Sequence, residues 1–308
     1  MKMNKTIIIS GVTGFIGEAL ARFFLTKNYR VKGLTRNLAK AGKLKYKGIE
    51  PVLWDAHSLT GWEKELEGAD ALINLSGENI SSGRWSGQRK EKILNSRINA
   101  GKVITASLSR LHHKPAVYLQ ASAVGYYGSQ EDEELVEGSP AGEGFLTEVV
   151  KQWEAASAGV EDMGIRRVIC RFGMVLAKDQ GALKQMLLPF RLFIGGPMGP
   201  GTQWMSWIHI HDVIQAIDFL ISCQDCQDIF NLTAPQPMIN KKFARILGKV
   251  LHRPSFLAVP SFVLKILLGE MAEQLLLSSQ RVLPKRLKEA GFTFRFPHLE
   301  EALLDLID

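Results

Sequence analysis

The segment Gly11-Val12-Thr13-Gly14-Phe15-Ile16-Gly17 constrains this chain more than any other feature. Directly ahead of it, Thr6 to Ser10 is a short, apolar, β-branched run of the kind that forms a strand buried on both faces. Directly behind it, Gly17 to Lys27 carries Ala19, Leu20, Phe23 and Phe24 at helical spacing, which predicts a helix with one apolar stripe. A strand, a glycine turn and a helix in immediate succession make a phosphate cradle. The first glycine permits the tight turn, the second lets the backbone approach a pyrophosphate, and the third lets helix and strand pack closely. The helix N-terminus presents its N–H groups to the anion. Gly11, Thr13, Gly14, Phe15, Ile16 and Gly17 are therefore the expected cradle of a dinucleotide.

The same alternation continues. Strands are expected at Arg30 to Thr35, Glu50 to Trp54, Ala69 to Leu75, Val117 to Ala121 and Arg167 to Phe172, with helices from about Ser86 to Leu111 and from Phe145 to Glu161. This pattern predicts an α/β fold, a Rossmann-type doubly wound parallel sheet covered on both faces. After a glycine- and proline-rich loop at Phe193 to Gln203, the chain beyond Asn231 becomes helical segments punctuated by prolines. We expect a nucleotide-binding domain over 1–230, with elements of the substrate lobe from about 178–205, and a smaller, mostly helical C-terminal lobe over 231–308.

The end of the second strand selects the dinucleotide. An acid there holds the ribose 2′-hydroxyl of NAD, whereas an arginine accommodates the 2′-phosphate of NADP. Here the residues are Thr35-Arg36-Asn37 with no acid, so NADP(H) is expected. Asp55, after the third strand, is placed either to accept a hydrogen bond from the adenine amino group or to cap the next turn.

Composition excludes other classes. With 46% hydrophobic and 22% charged residues, the chain has the means for a folded core. No run reaches the roughly 18 apolar residues of a membrane span, and MKMNKTIIIS reads as the start of a strand rather than a signal peptide. The net charge of +7 is scattered, without a nucleic-acid-binding module or stacking aromatics. No nucleic-acid or membrane partner is expected, and no metal. The three cysteines form no disulfide framework, Cys223 and Cys226 reading as small residues near a helix end, which fits a reducing cytoplasm.

Gly11 to Gly17, Leu75-Ser76-Gly77 after the fourth strand and Ser122 after the fifth make the chain similar to the extended short-chain dehydrogenase/reductases. Longer motifs narrow the likeness: Asn74 to Ile80, Arg84-Trp85, Ser96-Arg97-Ile98, Val124 to Gly128, Trp153-Glu154, Gly195 to Pro197, Trp207 to Asp212, Leu268 to Glu270 and Gln280 to Pro284. Together they resemble the bacterial "epimerase family protein" branch, which is similar to sugar-nucleotide epimerases. The resemblance spans essentially the whole chain. It implies that Thr13 to Gly17, Thr35-Arg36-Asn37 and Leu75, Ser76, Gly77 and Glu78 line NADP(H), with Arg97 and Arg171 near the cofactor. Arg97 can also be read as a helix-surface charge. Arg171, inside an apolar strand, needs a buried partner in either case.

The resemblance also exposes a departure. Short-chain reductases carry Tyr-x-x-x-Lys on the helix after strand five, the tyrosine serving as general acid/base and the lysine lowering its pKa. Counting from Glu154, these slots hold Leu146 and Val150, and Lys151 is one residue off, about 100° around the helix. Ser122 occupies the place of the helper hydroxyl. Tyr126 or Tyr127, at the expected cleft rim, can replace the missing acid or can simply pack under a loop. His209 and His211 are further candidates or simply structural residues, and Arg84 with Trp85 can hold an anionic or aromatic substrate or cap the helix. The expectation is an NADP(H)-dependent oxidoreductase or epimerase-like protein acting on an unknown carbonyl or sugar-nucleotide-like substrate, as a monomer or homodimer, with Ser122 and Tyr127 as catalytic candidates. The alternative is a non-catalytic NADP(H)-binding sensor or assembly protein.

Overall fold

The structure, a computed structural model, describes residues 5–307. The leading Met1 to Asn4 of the expected first-strand region lie outside the described residues. In chain order the elements are β1 (Thr6–Ser10), α1 (Phe15–Thr26), β2 (Arg30–Thr35), α2 (Leu38–Tyr46), β3 (Glu50–Leu53), β4 (Ala71–Asn74), α3 (Gly87–Leu108), β5 (Val117–Ala123), β6 (Glu134–Leu135) and α4 (Phe145–Ala155). They continue with β7 (Arg166–Phe172), β8 (Met174–Ala177), α5 (Gly181–Arg191), β9 (Trp204–Met205), β10 (Trp207–His209), α6 (Ile210–Ser222) and β11 (Asp228–Leu232). The last are β12 (Met238–Ile239), α7 (Asn240–Leu251), α8 (Ser261–Leu268), β13 (Arg281–Val282), α9 (Lys285–Glu289) and α10 (Leu299–Ile307).

Seven strands form a wholly parallel sheet in the order β11-β7-β5-β4-β1-β2-β3. Strand order reverses between β1 and β4, and the crevice at their carboxyl ends is where such sheets take ligands. The three isoleucines of β1 show why the sheet is covered on both sides. Ile7 and Ile9 point to one face and pack with Leu20 and Phe24 of α1 and Val213 and Ile217 of α6. Ile8 points to the other and packs with Ala100 and Ile104 of α3.

The smaller lobe has its own core, built from Leu183, Leu187 and Phe190 of α5, Phe243 and Leu247 of α7, and Leu299 and Leu303 of α10 around Trp207. Asp212 ties the lobe to α6, accepting hydrogen bonds from the Arg295 and Phe296 N–H groups at 2.9 and 3.0 Å. Residue 230, the expected boundary, falls inside β11, the edge strand of the main sheet. Among the described residues no helix is long and apolar enough to cross a membrane.

Three expectations are corrected. The helix expected over 145–161 ends at Ala155, and a 3₁₀ turn at Ala158–Met163 follows. Arg167 takes the Glu154 carbonyl and the Ser157 hydroxyl, and that carbonyl would otherwise accept from the next helical turn. The α2 helix was not foreseen. Finally, Cys223 and Cys226 are joined as a disulfide: the turn closing α6 brings their Cα atoms to 5.4 Å, within bonding range, while Cys170 is free and buried.

Candidate functional site

The cradle is defined by backbone. Gly11 has φ +70°, and a Cβ there would lie 2.7 Å from the Leu75 carbonyl oxygen, so the loop after β4 packs directly on the turn. A Cβ on Gly17 would lie 2.4 Å from the Gly11 carbonyl oxygen, which lets only glycine bring α1 this close. Gly14 caps α1 without a side chain. The first-turn N–H groups, which helix geometry leaves unpartnered, therefore remain open to an anion.

Register places the other expected residues beside this turn. Ser10 pairs with Leu34 on one side and Asn74 on the other, so Thr35 and Leu75 flank Gly11. Thr35 is buried, and its hydroxyl accepts from the Asn37 N–H. The Asn37 side chain caps α2 by accepting from the Lys40 N–H at 3.2 Å. Between them Arg36 is exposed and has neither ion pair nor hydrogen bond among the described residues. Asp55 caps the following turn: its carboxylate accepts from the His57 and Ser58 N–H groups at 2.8 Å and from the Ser58 hydroxyl. Those bonds, that of the Ser58 hydroxyl foremost, hold its pKa down at about 2. Of the two readings for Asp55, the structure shows the cap.

The loop after β4 is built from within. The Ser76 N–H donates to the Asn74 side chain and the Glu78 N–H to the Ser96 hydroxyl. Arg97 reaches back from α3, donates to the Glu78 and Ile93 carbonyls at 3.1 and 2.9 Å, and lies 4.9 Å over the Trp153 ring. Its guanidinium sits where a side chain on Gly77 would be, at 3.0 Å. Burial pulls its pKa to about 10, and it stays charged at neutral pH. The helix-surface reading of Arg97 is thereby corrected.

Ser122 and Tyr127 belong to one buried network that the sequence did not assemble. Ser122 Oγ donates to Glu154 Oε1 at 2.5 Å. Arg171 donates from Nε and Nη2 to the same carboxylate at 2.8 and 2.9 Å, and from Nη1 to the Tyr127 hydroxyl at 3.1 Å. Tyr127 in turn donates to Asn231 Oδ1 at 2.8 Å. The buried partner that Arg171 requires is thus Glu154. Burial by itself lowers the Arg171 pKa, but the Glu154 ion pair overrides it and raises the pKa. Tyr127 is fully buried, its pKa is raised by that burial, and its one proton is committed to Asn231. Its expected place at the cleft rim is corrected: the ring packs beneath the loop. Tyr126 is the half-exposed member of the pair, its ring 3.4 Å over the Arg171 guanidinium and its hydroxyl free of hydrogen bonds among the described residues.

The two slots on α4 are apolar and closed. Leu146 is 9% exposed and Val150 3%. Lys151 turns outward to pair with Glu148 at 3.6 Å. His209 is also structural. Its Nδ1 accepts from the His211 N–H at the start of α6, its ring lies 4.0 Å from that of Phe296, and burial lowers its pKa to about 4. Its Nε2 is 3.2 Å from Asp305 but outside hydrogen-bonding geometry. Arg84 is exposed beside Gly269 of the smaller lobe, without an ion-pair partner among the described residues. Glu154 was missed as a site residue, although a signal existed. It follows Trp153 on the same face as Val150, and a carboxylate on a buried helix stripe must find a cation.

A family model described as the NAD dependent epimerase/dehydratase family matches residues 7–233, and one described as a domain of unknown function matches residues 259–306. The chain is 38% identical over 302 residues to the epimerase family protein YfhF of Bacillus subtilis, covering 98% of this chain and 97% of that one. It is 38% identical over 300 residues to the chloroplastic epimerase family protein SDR39U1 homolog of Arabidopsis thaliana, covering 97% and 85%. Among solved structures it matches the human epimerase family protein SDR39U1 with NADPH, at TM-score 0.88 and 31% identity over 98% of both chains. A UDP-glucuronic acid 4-epimerase from Bacillus cereus in complex with UDP-glucuronic acid and NAD shares the fold, at TM-score 0.78 and 16% identity over 97% and 96% of the two chains.

Proposed function

The chain belongs to the NAD dependent epimerase/dehydratase family, and we propose that within it this protein binds NADP(H) and acts as an oxidoreductase on a carbonyl or sugar-nucleotide-like substrate. The observation that carries the cofactor is Arg36, an exposed and unpaired guanidinium next to a glycine turn whose helix has no side-chain cap. The human relative, with NADPH, supports the same choice. When bound, the nicotinamide would supply or accept the hydride. The chain's own residues do the rest. The α1 N-terminus binds the pyrophosphate, Arg36 pairs with the 2′-phosphate, and Arg97 braces the Gly77–Glu78 backbone. Arg84 offers a charge for an anionic substrate group. Since Tyr127 has no proton to give, Tyr126 is the hydroxyl on this side of the sheet left to move one.

A second reading, a non-catalytic NADP(H)-binding sensor or assembly protein, is favoured by the burial of Leu146 and Val150 in the acid/base slots. Fluorescence titration with NADPH and NADH tests the shared premise. NADPH should bind more tightly, and Arg36→Ala should weaken NADPH selectively; equal or absent binding of the two would sink both readings. Tyr126→Phe then separates them: lost NADPH turnover across a carbonyl panel supports the enzyme, and tight binding without any turnover supports the sensor.

A further inference from the structure

Nine of the twelve large apolar side chains that the described chain leaves exposed lie in two segments of the smaller lobe. Leu192, Phe193 and Ile194 follow α5, and Phe256, Phe262 and Ile266 are among those around α8, at 55 to 76% exposure. The segments form one surface. The Leu257 N–H donates to the Gly195 carbonyl, the Val259 N–H to the Pro197 carbonyl, and the Gly199 N–H back to the Val259 carbonyl. Arg253 lies 4.5 Å over the Phe193 ring and joins the two edges. The helix within this surface is anomalous. Its sequence, SFVLKILL, is apolar almost all round, yet only Leu264 is buried. Phe262 and Ile266, four residues apart, share an outward stripe. A helix of that composition belongs against something apolar.

Charge identifies the occupant. Residues 181–203 and 252–269 contain no aspartate or glutamate, but they carry Lys184, Arg191, Arg253 and Lys265. Lys265 pairs with Glu273 at 2.6 Å. Lys184, Arg191 and Arg253 are exposed and have no carboxylate partner among the described residues. A second copy of this chain would bring cation to cation, with no acid from either segment to pair across the interface. An anionic bilayer offers what both sets of groups lack: hydrocarbon for Phe262 and Ile266, and headgroup phosphates for the cations. We propose that this face of the smaller lobe is a docking surface for an anionic lipid bilayer. The protein would rest on the surface without crossing it. This revises the expectation of no membrane partner, which rested on the missing span; sequence periodicity does not reveal which apolar side chains the fold leaves uncovered.

Vesicle co-sedimentation of the full chain tests this. The protein should partition onto phosphatidylcholine vesicles containing phosphatidylglycerol, weakly onto phosphatidylcholine alone, and less onto the anionic vesicles as salt rises. Phe262→Ser with Ile266→Ser should lower the partition by about tenfold or more. Arg191→Glu with Arg253→Glu, which leaves the apolar face intact, should abolish the preference for anionic vesicles. The thermal transition, monitored by circular dichroism, checks that each variant is folded. Absent partition of the wild type, or equal partition onto neutral and anionic vesicles, overturns the proposal. So does a wild-type dimer in light scattering that the apolar substitutions convert to monomer.

Discussion

Replacing Glu154 with Gln takes one charge from the most buried ion pair of the described chain while keeping the shape of its side chain. Arg171 is 1% exposed and directs two hydrogen bonds of 2.8 and 2.9 Å at the carboxylate. The amide of Gln presents one acceptor and one donor, so one guanidinium N–H would face another donor, and the cation would be left without a counter-charge. Breaking a buried pair from one side costs about 3–5 kcal/mol. The Tyr126 ring, 3.4 Å from the guanidinium, is present in both forms and cancels in the difference. The expected loss is therefore about 3–5 kcal/mol, read as a lower urea midpoint at unchanged slope in circular dichroism. A cycle sharpens the test. Glu154→Met and Arg171→Met each strand a polar partner, whereas the double substitution removes both charges, so it should cost less than the sum of the singles by about 1–3 kcal/mol. A Glu154→Gln loss below about 1 kcal/mol, or strict additivity in the cycle, would refute the claim that Glu154 is the buried partner Arg171 requires.

Other expected outcomes are quickly measured. Gly17→Ala puts a Cβ 2.4 Å from the Gly11 carbonyl oxygen, so it should lower stability by about 1–3 kcal/mol and weaken NADPH in the same titration. Gly42→Ala, inside α2 with nothing within 4 Å, should instead stabilise by about 0.5–1 kcal/mol, and a melting comparison decides both. His209 is held neutral, mainly by burial, at a pKa of about 4 against an ordinary 6.5. The unfolded chain therefore binds the extra proton first, and the histidine's contribution to stability, complete above pH 6.5, should fall as pH drops towards 4. His209→Asn, which can still cap α6, should flatten that part of the stability–pH profile. Reductant should open the Cys223–Cys226 bond and raise the thiol titre of the denatured protein; the loop is short, so the stability loss should stay at about 2 kcal/mol or less.

The nucleotide half of the fold was legible because its signals are local. Ile7 to Ile9 declare a strand buried on both faces, and the glycines that follow are required by contacts within ten residues or by a neighbouring strand end. The segments that escaped are those whose identity depends on distant partners. In α2, LAKAGKLKY carries three lysines and a glycine and shows no clear apolar stripe, and the cap from Asn37 helps to set its start. In β11, DIFNL is a strand because β7 offers an open edge, with Phe230 beside Cys170 in register. The site divides in the same way. Arg36 is readable from its place after β2. The engagement of Tyr127 is not, since it depends on Asn231, 104 residues away, and on Arg171.

The departure on α4 has a structural meaning beyond the loss of two catalytic side chains. Leu146 packs with Trp85, Ile93, Val149 and Met271, and the cluster is extended by Leu268 and Leu275. Met271, Leu268 and Leu275 come from the C-terminal segment, so the face of α4 that carries Tyr-x-x-x-Lys in short-chain reductases helps here to seat the smaller lobe. A lysine at position 150 would place an ammonium at a site where Val150 is 3% exposed, and the inward carboxylate one turn on, Glu154, is already committed to Arg171 and Ser122. Restoring the two residues would therefore set burial and charge against the lobe's packing rather than rebuild an acid/base pair. The cradle is unaffected by any of this, because it is made of backbone at Gly11 to Gly17 and one arginine on the other side of the switch point. The glycine turn and the α4 slots follow different strands of the sheet, and that separation lets the turn keep its geometry while Leu146 and Val150 fill the slots with apolar packing.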